Sequence, residues 1–512
     1  MVDIKKELDT SLNGKRIYIQ VIEGGGTGNE AAAFRMGRYL ESVFTNVEVR
    51  YLIGLLPESL ALNTIKNKEE LKGIVLDVNK TTLVKLKALG VDEGKVIKKL
   101  GDLSSNRDFI VSCSADGNEN SAITVEKFLE KIKGASLEQG KYLGFINLEP
   151  FAWHSECRFI RFAGKTYSLN LPKLADYPDL TISTSTGSSA VGSSILSLLG
   201  KLDKQVCDVM LIYGLHALYD SEDGSDIVDE AHCFWIARAF AALALGVADY
   251  AVKSKKHAVL LALHPKNQFD EKYIGVTGRK IVIYVSRGRQ PAIDTSPGTI
   301  HCIPMNCVSM SELVTEIIKA KAPQLIVLRK TDDVSVTPDE FSRLLDMTTL
   351  PTVSEGANTI GQLYGKGKTF FTIGAVEQQV VNIKTEIDAS NKWYNLVNES
   401  VGVEIIKQAE ITYSSDVVLN ELINIKKTFL FAGRSIAELS YECCDKKGEY
   451  SASMINAAQI ITNYLGSDEW MQYVKVVGKF KKSYPDYISN QVLMSFWLLC
   501  RASSQQGILK KL

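Results

Sequence analysis

Two stretches of this chain have the residue types and spacing to hold an anion or to move a proton. The first is Glu23-Gly24-Gly25-Gly26-Thr27-Gly28-Asn29-Glu30, where an apolar run, Arg16 to Ile22, passes into a helical pattern that begins at Glu30. Glycines lack Cβ atoms and let a ligand approach the main chain, and the helix behind them offers free N–H groups and a positive dipole end. Glu30 adds a proton acceptor, whose ordinary pKa of ~4.3 needs only modest elevation for work as a general base. The turn is not a P-loop, because no Lys-Ser/Thr pair follows its last glycine. Gly26-x-Gly28-x-x-Ala31 satisfies a loose dinucleotide fingerprint, with Glu48 as its acid near the start of the next strand rather than at its end.

The second stretch runs from Leu350 through Ser354-Glu355-Gly356-Ala357-Asn358-Thr359 to Gln362. It predicts a buried strand ending at Ser354, a turn at Gly356, and a helix capped by Asn358 or Thr359. The first N–H groups of that helix face the C-terminal edge of the sheet, where open α/β sheets bind ligands, and a diphosphate is the expected guest. Ser286-Arg287-Gly288-Arg289 follows another strand and brings two guanidiniums toward the same edge, suited to phosphates. His154, His216 and His264 each stand just beyond a strand and are expected to line the acceptor side of a cleft. No Asp-x-Asp triplet occurs, and the pairs His232-Cys233 and His301-Cys302 are adjacent residues that cannot easily share one ion, so no metal is expected. Thr181 to Ser194 reads as an exposed connection before a helix. Asp220 to Glu230 reads as charge at a helix N-terminus, since it lacks EF-hand spacing.

These residues need a scaffold, and the pattern supplies one of strands alternating with helices, the arrangement that builds parallel sheets. Strands are expected at Arg16 to Ile22, Val47 to Ile53, Phe109 to Cys113, Tyr142 to Asn147, Val209 to Tyr213 and Val259 to Leu263, with helices at Glu30 to Ser42, Ala122 to Lys133 and Ser189 to Leu199. A second alternation starts at Lys280 to Val285 and continues through Thr299 to Ile303, Gln324 to Leu328, Leu350 to Val353 and Lys368 to Ile373. The expected domains are residues 1–275, an N-terminal acceptor-side α/β lobe; 276–383, a C-terminal nucleotide-sugar-binding α/β lobe; and 384–512, a helical segment. Lys66 to Lys99 reads as a pair of solvated helices.

Composition narrows the function classes. The 512 residues are 45% apolar, and 59 Lys+Arg balance 59 Asp+Glu. That balance argues against disorder and against nucleic acid as a partner. Nine scattered cysteines with no CxxC read as reduced thiols, and the N-terminus lacks an apolar leader, so a cytoplasmic location is expected. Phe234 to Val252 is interrupted by Arg238 and Asp249 and reads as a buried helix rather than a bilayer span. No transmembrane segment is expected, while a peripheral membrane contact stays open.

Together the two turns resemble those of the GT-B glycosyltransferases, closest in motif to the lipid-II-forming N-acetylglucosaminyltransferases of peptidoglycan synthesis. That family carries Gly-Gly-Thr-Gly-Gly-His where this chain has Gly25-Gly26-Thr27-Gly28-Asn29-Glu30. It carries Gly-Ala-x-Thr-x-x-Glu where this chain has Gly356-Ala357-Asn358-Thr359-Ile360-Gly361-Gln362, then Gly-Leu-Pro where this chain has Gly367-Lys368-Thr369. The resemblance implies two Rossmann-like lobes and an inverting, metal-independent transfer from a nucleotide-diphosphate sugar to an acceptor hydroxyl, with no tightly bound cofactor. It implies donor contacts from Ser286, Arg287, Glu355, Gly356, Ala357, Asn358, Thr359 and Gln362. Acceptor contacts fall to Gly26, Thr27, Gly28, Asn29, His154, His216 and His264, and the base to Glu30. Two departures stand out: Gln362 replaces the acid that grips the ribose hydroxyls, and Glu30 replaces the histidine. The rival readings are an NAD(P)-dependent oxidoreductase using the first turn, a nucleotide-sugar epimerase, and a non-catalytic binding or scaffold protein on the same frame.

Overall fold

The computed structural model describes residues 4–21, 28–44, 46–55, 70, 73–99, 102, 109–112, 144–148, 158–162, 165–168, 189–213, 230–263, 277–332, 334, 336–354, 357–372, 450–478, 481, 493, 496–497 and 500. The chain is an α/β protein that divides into two compact units. The first comprises Met1–Thr186, Val381–Val417 and Ser483–Leu512, and the second Gly187–Val380 and Val418–Lys482.

In the first unit, α1 (Ile4–Leu12) precedes β1 (Arg16–Gln20), α2 (Gly28–Val43), β2 (Glu48–Leu52), β3 (Gly54–Leu55), β4 (Asp77–Val78), α3 (Lys80–Ala88), β5 (Phe109–Ser112), β6 (Gly144–Leu148), β7 (Arg158–Phe162) and β8 (Lys165–Ser168). The sheet order is β2-β1-β5-β6-β7-β8, parallel through β6 and antiparallel beyond it. β3 and β4 form a separate antiparallel pair. α2 lies on β1 and β2, with Gly37 placed over Tyr51 and Ile19, where any Cβ would strike the Tyr51 hydroxyl. Trp497 donates its indole N–H to Glu7 at 2.8 Å, tying the C-terminal residues to α1.

The second unit is built on a seven-stranded parallel sheet. Its elements are α4 (Ala190–Gly200), β9 (Cys207–Tyr213), α5 (Glu230–Ser254), β10 (His257–Ala262), β11 (Ile281–Ile283), β12 (Ile300–Pro304), α6 (Met310–Ile318), β13 (Leu325–Arg329), α7 (Pro338–Met347), β14 (Thr352–Ser354), α8 (Ala357–Lys366), β15 (Phe370–Thr372) and α9 (Tyr450–Tyr464). The order is β11-β12-β13-β10-β9-β14-β15. β10, β12 and nearly all of β9 and β13 are buried, as continuous apolar runs in a sheet covered on both faces must be. α5 packs on β10 and β13 with α9 against it, while α4 meets α6 and α7, and α7 meets β9 and α8. The helix contacts fall into two groups, α5 with α9 and α4 with α6, α7 and α8, as right-handed crossovers to opposite faces of the sheet require.

Three sequence expectations change here. β9 and β10 were assigned to a lobe spanning 1–275, yet they pair with β14 and β13 at the centre of the second sheet, so the division falls at Thr186/Gly187. The segment 384–512 is not one module: α9 joins the second unit, and Phe496, Trp497 and Cys500 belong to the first. In the lysine-rich stretch 66–99, Glu70 and Gly73 are helical and α3 follows them, but β4 and a short 3-10 turn, Glu93–Lys95, share the stretch, so it is not helical alone.

Candidate functional site

The topology of the second unit reverses between β9 and β14. β9 leads through α5 toward β10, whereas β14 leads through α8 in the opposite direction to β15, so neighbouring strands send their connections to opposite faces. That reversal is where open α/β sheets bind ligands. Ser354 and Tyr213 are register partners at the C-terminal ends of the two strands. The Tyr213 ring lies 4.9 Å from that of Phe341 on α7, so both residues point to the face carrying α7 and α8.

Around this point stand buried polar atoms without partners. Ser354 is fully buried and its Oγ has no hydrogen-bond partner; Thr352, two residues earlier on the same face, is alike. Gln362, in the second turn of α8, is 7% exposed, and its Oε1 is unpartnered as well. Thr359 is buried one turn before it. Buried polar groups are almost always hydrogen-bonded, so Ser354, three residues before α8, and Gln362, in its second turn, mark places where water or a ligand belongs. α8 starts at Ala357, so Asn358 and Thr359 lie inside its first turn rather than capping it, a correction to the sequence expectation.

The polar groups next door are fully paired. Thr337 and Glu340 form a capping box on α7, and Pro338 occupies the first helical position, where its missing N–H costs nothing. The same Glu340 carboxylate accepts from Ser189 Oγ at 2.8 Å and Ser193 Oγ at 3.4 Å, closing the N-terminus of α4. Gly192 makes room for it, since a Cβ there would overlap the carboxylate.

Ser286 and Arg287 sit elsewhere on the edge. Their turn is braced by Gln290, whose side chain accepts from Val285 N–H at 3.3 Å and donates to Val285 O at 2.8 Å, and by Ser286 Oγ on Asn306 at 2.5 Å. It follows β11, five strand intervals from β14, or roughly 24 Å at ~4.8 Å per interval. One diphosphate cannot touch both this turn and the start of α8, so the structure separates residues that sequence reasoning had joined. Sequence reasoning also missed Arg329, the last residue of β13, three intervals from β14, with a buried Nε that has no hydrogen-bond partner. Its signal was visible as one arginine closing the apolar run Leu325 to Leu328.

In the first unit, Gly28, Asn29 and Glu30 form the first turn of α2. Glu30 is fully buried, with Lys85 Nζ of α3 at 3.3 Å from Oε1; the pair is close, but neither carboxylate oxygen has an aligned hydrogen-bond donor. Glu48, the acid expected for a dinucleotide, lies at the N-terminal end of β2 and is clamped at 2.6 Å by both Arg16 and Arg50. Burial raises its pKa, but the two arginines outweigh that and lower it. Gly26, Thr27, His154, His216, His264, Glu355 and Gly356 lie outside the described residues, and Ala357 and Asn358 are described by backbone alone.

Comparison of the chain with protein-family models, with curated proteins and with solved structures finds no match in any of the three. Among the described residues, no three His, Cys, Asp or Glu side chains are grouped to hold a metal ion, and no helix is long and apolar enough to cross a membrane.

Proposed function

We propose that the chain is a GT-B-type glycosyltransferase whose nucleotide-diphosphate sugar donor sits at the β9/β14 reversal of the second unit. The reading is carried by the unmet buried polar atoms of Ser354 and Gln362 at the topological switch beside α8, where the family-like motif Gly356-Ala357-Asn358-Thr359 falls. In this reading the diphosphate takes the N–H groups and positive end of α8, Gln362 hydrogen-bonds a neutral hydroxyl of the nucleotide, and Arg329 meets the far end of the donor. The acceptor hydroxyl attacks the anomeric carbon and loses its proton to water, the carbon–oxygen bond to the diphosphate breaks, and the fixed dipoles of α8 stabilise the departing charge. No bound metal is required for that stabilisation.

Glu30 was expected to be the base, but a carboxylate with no exposed surface and an ion-pair partner is better suited to holding α2 on α3. The dinucleotide reading of the first turn loses support as well, because Glu48 is at the wrong end of its strand and already paired. The test is a binding panel of UDP-, GDP-, dTDP- and CMP-sugars with NAD(P)(H), on the native chain and on Thr359→Val and Gln362→Leu. One nucleotide sugar should bind, and each variant should weaken it about tenfold, the effect of one lost hydrogen bond worth ~1–1.5 kcal/mol. NAD(P) binding alone, no binding at all, or equal binding to all three proteins overturns the proposal.

A further inference from the structure

Around the N-terminal ends of β10, β12 and β13, the same sheet holds a buried polar network that the proposed chemistry does not use. His257 opens β10, His301 is second in β12, Gln324 immediately precedes β13, and Tyr284 follows β11. All four are almost wholly buried. Their hydrogen bonds fix which atoms carry protons. Gln324 Nε2 donates to the carbonyls of Ser296 and Ala322, both at 3.0 Å, so Oε1 is the end that faces His301 Nε2 at 3.3 Å. His301 must then donate from Nε2, and its Nδ1 accepts from the Tyr284 hydroxyl at 3.1 Å. His257 Nδ1 accepts from the backbone N–H of Gln324 at 3.2 Å.

We propose that this network is an acid-sensitive latch, holding the edge strand β11 and its neighbour β12 on the sheet while both histidines are neutral and releasing them when His257 takes a proton. The two sites differ in how they meet a proton. At His301 the Tyr284 hydroxyl can rotate and accept, at the cost of any bond it then fails to make. At His257 the partner is a main-chain N–H, which cannot turn, so a second N–H on the imidazole opposes it donor to donor. Release there pulls on Gln324, which also holds His301.

The surrounding charges do not rescue the protonated forms. Burial is the main influence on both histidines and lowers both pKa values; the Ala320 carbonyl opposes it at His257, and Gln324 and Asp294 oppose it at His301. Each imidazole would also repel the other. Asp294 is itself engaged by the Ser296 N–H at 2.7 Å and by Lys280 at 3.0 Å. Burial, then Glu316 of α6, pushes the Tyr284 hydroxyl up to about 12, so it stays protonated throughout. The sign follows: a histidine with a lowered folded pKa contributes stability above its unfolded value of ~6.5 and loses it as pH falls, up to tenfold in the folding equilibrium per pH unit per histidine.

The experiment follows the intact chain between pH 7.5 and 5.5 by amide exchange, nitrogen NMR of the imidazoles and denaturant unfolding, beside His257→Asn, whose amide oxygen replaces the Nδ1 acceptor and does not titrate. Exchange in Ile281–Ile283 and Ile300–Pro304 should accelerate first, both histidines should stay Nε2–H tautomers through pH 6.5, and the variant should unfold with a pH slope lower by nearly one proton. Ordinary titration of both rings near 6.5 in the native protein overturns the latch, as does an unchanged slope in the variant or exchange that rises uniformly over the sheet.

Discussion

Glu30 and Glu340 are both buried glutamates in the first turn of a helix, and their surroundings assign them different work. Glu340 receives the Thr337 N–H at 2.9 Å and two serine hydroxyls, a set that leaves a carboxylate content in a dry place. Among the described residues, Glu30 has only the Lys85 ammonium, approaching from another helix. Glu30→Gln takes the charge from the buried half of this pair, so it should lower the stability of the chain by about 1–2 kcal/mol, with donor binding by the folded fraction unchanged. Denaturant titration with donor binding on the same samples checks this. A variant of native stability whose turnover has fallen a hundredfold would instead restore Glu30 as the base. Lys368 shows the same logic at the other end of α8. Its ammonium donates to the carbonyls of Asp346 and Thr348 at 2.7 Å, and burial first, then Lys204 and other lysines, holds its pKa down at about 8. It satisfies carbonyls at the end of α7 rather than a ligand.

At the scale of elements, α5 explains why an unusually apolar helix belongs to this fold. Between Ala237 and Ala251 its described side chains are almost all buried, because the sheet covers one side and α9 the other. The helices approach closely at Gly246, whose carbonyl accepts from Thr462 Oγ1 at 3.1 Å, and a Cβ there would lie 2.8 Å from Ile461 and 2.9 Å from the Ala458 carbonyl. Backbone cannot yield as a side-chain tip can. Gly246→Ala should therefore cost ~1–3 kcal/mol despite the better helix propensity of alanine, read as a lower urea midpoint at constant slope. Local elements were legible because their signals are local: apolar runs for β9, β10, β12 and β13. Their partners were not, since nothing in Val209 to Tyr213 records that β14, some 140 residues on, will lie beside it. The hairpin strands β7 and β8 were missed although Ala163-Gly164 separates Arg158–Phe162 from Lys165–Ser168, a two-residue spacing suited to a tight turn. In the candidate site, α8 was readable from its motif. The separation of Arg287 from α8 and the unmet atoms of Ser354 and Gln362 depend on strand order and burial.

For the molecule as a whole, the two units differ in what a donor can do to them. The proposed donor site lies wholly within the second unit, between strands at the centre of its sheet, so binding energy enters the protein through β9, β14 and α8. A ligand that binds only the folded state stabilises it by mass action, ~2.7 kcal/mol at a hundred times its dissociation constant. That gain should raise the melting temperature, and it should be visible by amide exchange where local opening disrupts the site. Protection should therefore grow at Tyr213, Ser354 and the first turns of α8, while β1 and α2 exchange as before when they open without disturbing the donor site. Ligand-dependent protection confined to β1 and the start of α2 would move the donor to the first glycine turn. That outcome would return the chain to a nucleotide-binding reading of its first sheet, with Gly28 and Asn29 rather than Thr359 and Gln362 as the residues to substitute next.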